Sequence, residues 1–423
     1  MAKPGFKQTE IGEIPEEWEL VKFSERCLII KGKKPQKIYE EQIDGSKPYL
    51  LVEHMSGGQK FYTDDQSVPV CNEQDTLLIM DGSRSGLVFT GYAGAIGSTF
   101  GAVRPKDEMI ISRFVYYFLQ TKYSLLQTHR TKGAIPHVDK QILRRMPFPL
   151  PPLPEQKKIA SVLSTIDAAI EKTSEIIEQA KQLKKGLMQE LLTRGIGHTK
   201  FKQTEIGEIP EEWEVVSLEK CLMEICSGFR PKGGVGKLTE GIPSIGGEHI
   251  TIDGKLDFSS IKYISEEFFE EMPRGHIRQG DILLVKDGAT IGKLALMAKM
   301  PFDKMAVNEH VYILRSNERL SPAYLYYVLA SHRIQSSLQQ VQTGSAQPGL
   351  NSSFVRHLDI QLPPLPEQKK IAEILGAADA KIEAEVQKRE QLQTLKKGLM
   401  QDLLTGRVRF PEFVKGVNYD RKL

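Results

Sequence analysis

The sequence predicts an α+β protein: two similar mixed α/β domains separated by two long helices packed as an antiparallel coiled coil, on a pseudo-two-fold cyclic plan. Three observations carry that expectation. FKQTEIGEIPEEWE stands at residues 6–19 and again, unchanged, at 201–214. LPPLPEQKKIA runs from Leu150 to Ala160 and from Leu362 to Ala372, and LKKGLMQ starts at Leu183 and at Leu395. Three ordered duplicates mean two copies of one plan. The first pair is displaced by 195 positions (201 minus 6) and the other two by 212 (362 minus 150). The filling of the second half is therefore 17 residues longer (212 minus 195). The frame is kept and its content differs.

Bulk composition agrees with two ordinary cores. The chain has 423 residues, 40% of them hydrophobic and 26% charged, which is the profile of a soluble globular protein. The net charge is only +3, which decides nothing about nucleic acid, and a long charged tail or basic arm is absent. Residues 23–149 carry 17 Lys and Arg against 13 Asp and Glu, while 215–361 carry 16 of each, so only the first filling is basic. Cys27, Cys71, Cys221 and Cys226 form no CxxC pair, so they read as buried thiols and not as a zinc site. The N-terminal stretch has no apolar signal core and no run reaches transmembrane length, so a cytoplasmic location is expected.

In chain order, residues 1–22 form an N-terminal repeat segment with a turn at Gly12 and an anchoring Trp18. Residues 23–150 form the first domain, with strand-like runs at Pro48–Val52, Asp75–Met80 and Ser98–Val103, then a helix capped by Ser112. Residues 151–196 hold the first long helix. Pro154 suits its first turn, and Glu155 suits the positive end of the helix. Ile159, Val162, Ile166, Ile176, Leu183 and Leu187 mark a seam stepping by three and four. At 1.5 Å per residue this helix is roughly 57 Å long. Residues 197–214 repeat the opening segment with Trp213, and 215–361 form the second domain. There PSIGGEHI (243–250) lines up with PYLLVEHM (48–55), and DILLVKDGATIG (281–292) with DTLLIMDGSRSG (75–86). Residues 362–406 hold the second long helix, with a seam through Ile371, Ile374, Leu392, Leu395 and Leu399. Helices with such stripes must be covered, and each is the other's natural partner. The tail, 407–423, imitates the start of a third repeat and is expected to close onto the N-terminus.

Catalytic signatures are poor. Gly288 to Lys293 is one residue short of a phosphate-binding loop, and Leu294 stands where the hydroxyl residue belongs. No HExxH helix occurs, and the only Pro-Pro pairs open the long helices, so no methyl-transfer motif is present. No catalytic, metal or cofactor residue is expected on this chain.

The duplicate GEIPEEWE starts, the PLPPLPEQKKIA helix openings, GDILLVKDGATIG and the LKKGLMQ…LLT helix ends resemble the specificity subunit of a Type I restriction–modification system. The resemblance spans essentially the whole chain. It implies two target-recognition domains, each reading one half of a bipartite DNA site, and two spacer helices. It implies two methyltransferase subunits using S-adenosylmethionine as partners, and restriction subunits using ATP and Mg²⁺. Adenine methylation would be their chemistry. This chain would be a non-catalytic, sequence-specific binder of double-stranded DNA. Two rival readings remain: a coiled-coil scaffold with two protein-binding domains, and a self-sufficient DNA enzyme.

Base-reading and phosphate-binding side chains are expected in the polar loops after the matched strands. In the first domain these are Glu53, His54, Lys60, Ser83 and Arg84. In the second they are Arg230, Lys232, Lys237, Glu248, His249, Lys286 and Lys293. The recurrence of Glu-His in both domains is equally what a shared fold residue would produce.

Overall fold

The computed structural model describes residues 3–128, 136–235, 238–340 and 349–414. The chain divides into two units. One takes everything up to Ser174 and everything from Gln387 on; the other runs from Glu175 to Val386. Both boundaries fall inside the long helices, Leu153–Thr193 and Leu365–Leu403. Each unit therefore owns half of each helix and one variable block.

In the first unit, Phe6–Thr9 and Gly12–Pro15 form a hairpin. Gly12, at φ 99°, takes the left-handed backbone that its turn requires. Glu19–Lys22 then pairs antiparallel with Pro147–Leu150, so the two ends of the block are tied together. Between them lie two four-stranded sheets. One is wholly antiparallel, in the order Cys27–Lys31, Phe100–Pro105, Thr76–Ile79, Val88–Phe89. The other has the order Phe61–Thr63, Lys47–Leu50, Gly94–Ile96, Val70–Cys71, with one parallel pairing at its centre. The expected helix from Ser112 breaks at Lys122 into Ser112–Thr121 and Tyr123–Thr128, and Ile111, not Ser112, occupies the cap position. All-apolar strands such as Leu77–Ile79 are covered on both faces, which is why they read as runs and not as alternation.

The second unit repeats this plan. Its hairpin joins Phe201–Thr204 to Gly207–Pro210, and Glu214–Ser217 pairs with Asp359–Leu362. The antiparallel sheet runs Leu222–Ser227, Val311–Ser316, Ile282–Val285, Leu294–Leu296. Register is kept: Phe100 faces Ile79 in one unit, Val311 faces Val285 in the other. The second sheet has three strands among the described residues, in the order Lys262–Ile264, Ile242–Ile245, Ala306–Val307. The additional helix Glu266–Glu271, capped by Ser265, lies in this longer block.

The PEQ of each helix opening ties helix to block. The Trp18 indole donates to Glu155 Oε2 at 3.0 Å, and the Trp213 indole donates to Glu367 Oε2 at 3.0 Å. Both tryptophans are fully buried, so they anchor the core as expected. The next residue does the rest. Gln156 accepts from the Ile111 amide and donates to the carbonyls of Met109 and Pro151. Gln368 does the same with Ser321, Arg319 and Pro363. These bonds satisfy backbone groups that would otherwise be buried without partners.

Within each unit the two helix halves run antiparallel. In the first, Leu403 packs in the core with Ile159, and Lys396 Nζ lies 2.6 Å from Asp167 Oδ1. In the second, Leu192 packs with Ile371, and Lys184 Nζ lies 2.5 Å from Asp379 Oδ1. Each aspartate also accepts from a block tyrosine, Tyr117 at 2.7 Å and Tyr327 at 2.8 Å. The first lysine of each LKKGLMQ is thus fixed by an aspartate and by the face of that tyrosine ring.

That fixing corrects the seam. Ile159, Ile166, Ile371 and Leu375 are buried, and Leu187, Leu392 and Leu399 are half-buried. Val162, Ile176 and Ile374 are also only half-buried, because Leu163, Ile177 and Leu375 beside them take the inward positions. Leu183 and Leu395, expected in the seam, are 63% and 51% exposed. The inward position at that level belongs to Lys184 and Lys396. Adjacent apolar pairs such as Val162-Leu163 and Ile176-Ile177 allow two choices of inward residue, and Leu163 and Ile177 are the ones buried.

Candidate nucleic-acid interface

Four loops of each block converge at one end of its paired sheets. In the first unit they follow Lys31, Leu50, Met80 and Ile96. Backbone bonds lace them together: Lys33 N to Ile96 O, Gly97 N to Leu50 O, Asp81 N to Thr99 O, and Gly82 N to Pro136 O. In the second unit the loops follow Ser227, Ile245, Val285 and Val307, laced by Gly228 N to Asn308 O, Asn308 N to Ile245 O and Lys286 N to His310 O. The Asp-Gly loop has one frame in both. Gly82 and Gly86, like Gly288 and Gly292, have positive φ, and equivalent bonds close it, Gly86 N to Ile79 O and Gly292 N to Val285 O. Between those glycines the side chains differ: Ser83-Arg84-Ser85 against Ala289-Thr290-Ile291. A constant frame with variable side chains can present different donor and acceptor sets to a duplex.

The candidates distribute unevenly over this end. Glu53, Lys60, Ser83, Arg84, Arg230, Lys232 and Glu248 are exposed there. His54 is half-buried against Tyr92; burial, and then the Lys60 cation, hold its imidazole below the usual range. His249 is fully buried. It accepts from the Gly246 amide at 2.8 Å through Nδ1, and its Nε2 meets Ser260 O at 3.2 Å. It holds the loop and is not available to a base edge, so in the second unit the histidine of the Glu-His pair is a fold residue. Lys286 pairs with Asp287 at 2.5 Å over the Tyr312 ring, and Lys293 is half-buried. Lys237 lies outside the described residues. Glu248 is engaged by Lys262 at 2.5 Å.

Two ion pairs on buried aspartates link neighbouring strands of the antiparallel sheets and are not among the expected residues. Arg104 grips Asp75 through two bonds of 2.7–2.8 Å, and Arg315 grips Asp281 through two of 2.8 Å. Arg315 also reaches Glu224 and the His276 carbonyl. Each aspartate is the first residue of the repeated Asp-x-Leu-Leu run, so the repeat itself was the signal. The four cysteines are buried free thiols, and burial pushes Cys27 up to about 12 and Cys226 up to about 11. No group of three or more potential metal ligands occurs among the described residues.

Known proteins share this arrangement. The family model described as Type I restriction modification DNA specificity domain matches residues 15–182 and 210–394. The chain belongs to that family. Both matched segments open in the hairpin–Trp region and close inside a long helix, so the specificity domain occurs twice here. The chain is 33% identical to the Type I restriction enzyme MjaVIII specificity subunit of Methanocaldococcus jannaschii, over 98% of this chain and 97% of the relative. It is 24% identical to the EcoKI specificity subunit of Escherichia coli, over 85% and 82%. In fold it is similar to the S subunit of the Type I restriction–modification system from M. genitalium, with a TM-score of 0.59, 15% identity, and 95% and 99% coverage. No helix among the described residues is long and apolar enough to cross a membrane.

Proposed function

We propose that this specificity-family chain is the DNA-reading subunit of a Type I restriction–modification complex, with each unit reading one half of a bipartite site. The carrying observation is the loop end of each block, one frame furnished with two different sets of side chains. Two such ends suit a split, asymmetric sequence. The two long helices, shared by both units, set the number of base pairs between the halves. This chain recognises and does not catalyse. Methyl transfer from S-adenosylmethionine belongs to methyltransferase partners, two per complex, and ATP- and Mg²⁺-dependent work to restriction partners, in the cytoplasm.

The helices also offer a place for those methyltransferase subunits. Leu183 and Leu395 are exposed, and the glycines three residues on, Gly186 and Gly398, have nothing within 4 Å of where a Cβ would stand. A glycine inside a helix costs about 1 kcal/mol relative to alanine. Neither this chain's packing nor its backbone calls for one there. Close approach of a partner backbone does, and the identity of the two copies suits two copies of one partner.

The test is selection of bound duplexes from a random pool by the chain assembled with its methyltransferase subunits. Two short defined sequences around an undefined gap of constant length are expected, with an adenine methylated in each. Absence of any DNA selection, with protein partners still captured, would replace this reading by the coiled-coil scaffold.

A further inference from the structure

The segment that follows the edge strand of each antiparallel sheet carries the same Gly-x-basic-Pro pattern. Gly32-Lys33-Lys34-Pro35 and Gly228-Phe229-Arg230-Pro231 are displaced by 196 positions (228 minus 32). Each begins on a glycine at which only hydrogen fits. A Cβ on Gly32 would stand 2.1 Å from Gly97 O, and one on Gly228 would stand 1.6 Å from Val307 O. Both glycine amides are bonded into the neighbouring strand region, to Phe100 O at 2.9 Å and to Asn308 O at 3.1 Å. A proline two residues after the glycine's neighbour then stiffens the backbone. The side chain carried between, Lys34 or Arg230, is exposed in both units. Lys33 is occupied differently, its Nζ on Ser67 Oγ at 3.0 Å, and Phe229 replaces it in the second unit. Arg230 has one loose carboxylate neighbour, Glu309 at 3.6 Å, an exposed pair of little energetic weight.

What the two units share and what they do not separates two tasks. Units that read different sequences need different side chains where they meet bases, as between the glycines of the Asp-Gly loop. A group needed identically at both half-sites serves what the half-sites have in common, and that is the phosphate backbone. His249 shows how a shared residue can instead be structural, since it is buried and bonded at both ring nitrogens. Lys34 and Arg230 are the opposite: shared in charge, carried two residues after a closely packed glycine, and exposed to solvent. We propose that Lys34 and Arg230 are a matched pair of phosphate clamps, one for each half-site, which fix the register of the duplex on the loop end without reading its sequence. The inference rests on the reading above, in which each loop end receives one half-site.

The experiment uses the full chain assembled with its methyltransferase subunits, and two probes: a duplex carrying the selected bipartite site and a duplex of scrambled sequence. Lys34→Ala and Arg230→Ala, singly and together, are titrated over a salt series. Each single variant is expected to weaken both probes by the same several-fold factor and to lower the slope of log affinity against log salt by about 0.9. The selected sequence stays that of the wild type, and Lys34→Arg and Arg230→Lys bind as the wild type does. A variant that alters the selected bases of one half-site, or that leaves affinity and slope unchanged in an assembly that selects a bipartite site, overturns the clamp alone. A wild-type assembly that selects no such site overturns the underlying reading and the clamp with it.

Discussion

Glu155 and Glu367 hold the same indole bond and different third partners. In the second unit the chain runs straight from the first long helix into the repeat segment. There Glu367 Oε1 takes the Ile196 amide and His198 Nε2, both at 2.9 Å. In the first unit the corresponding contacts come from a segment distant in sequence, after the second long helix. Arg409 places Nε and Nη2 on the two oxygens of Glu155 at 2.9 and 2.8 Å, and Nη1 on Glu17 at 2.9 Å. Gly406 beside Pro15 and Lys158 beside Glu412 complete the closure. The difference teaches how one buried glutamate position can be satisfied by two different sets of donors. A bidentate, permanently charged guanidinium stands where a neutral-capable imidazole and a backbone amide suffice once the chain is continuous.

The widest separation of the two junctions is therefore in stability. Arg409→Ala strands the fully buried Glu155 carboxylate and should cost about 3–5 kcal/mol. His198→Ala leaves the amide and indole on Glu367 and should cost about 1–2 kcal/mol. The two tryptophans separate the readouts. In a Trp213→Phe background, urea unfolding followed by Trp18 emission reports the first unit, and a Trp18→Phe background reports the second. Equal losses would mean that the tail adds nothing beyond what linker continuity provides.

A smaller effect sharpens what the units have in common. Gly186→Ala and Gly398→Ala should each stabilise the isolated chain by about 0.8–1 kcal/mol, since the added methyl meets nothing and helix propensity improves. The same substitutions should weaken capture of the methyltransferase subunits, measured by co-purification. A more stable chain that assembles unchanged would show that this face is bare in the complex.

Much of the architecture was legible because the repeats act as their own comparison. Two copies of PEQ, of Asp-x-Leu-Leu and of LKKGLMQ mark where the frame lies, and the strands at Thr76–Ile79 and Ile282–Val285 stand inside the expected runs. The phase of the helix seam was not legible. Val162-Leu163 and Ile176-Ile177 satisfy either of two phases, and which member is buried depends on the facing helix, where Asp167 and Asp379 meet Lys396 and Lys184. The candidate interface was legible as loops but not as side chains. Exposure of Glu53 and burial of His249 depend on how tightly each loop folds over the sheet, which local composition does not encode. The shared Gly-x-basic-Pro segment at Gly32 and Gly228 is hard to see in the sequence because its neighbours differ, although its displacement of 196 lies within one residue of the 195 of the opening repeat. The short strands of the second sheets, such as Gly94–Ile96, carry too few residues to show a period.

The central claim is that each unit reads its own half-site through the loops at its own sheet end. Site selection with Arg84→Ala, in the assembled complex, tests it most directly. Arg84 lies on the variable segment of the first unit's Asp-Gly loop, and Thr290 and its neighbours fill that segment in the second. Preference at one or more bases of a single half-site should relax, with a loss of about 1–3 kcal/mol on the wild-type sequence, while the other half-site and the gap are selected as before. Equal relaxation of both half-sites, or an altered gap with both sequences intact, would contradict the account.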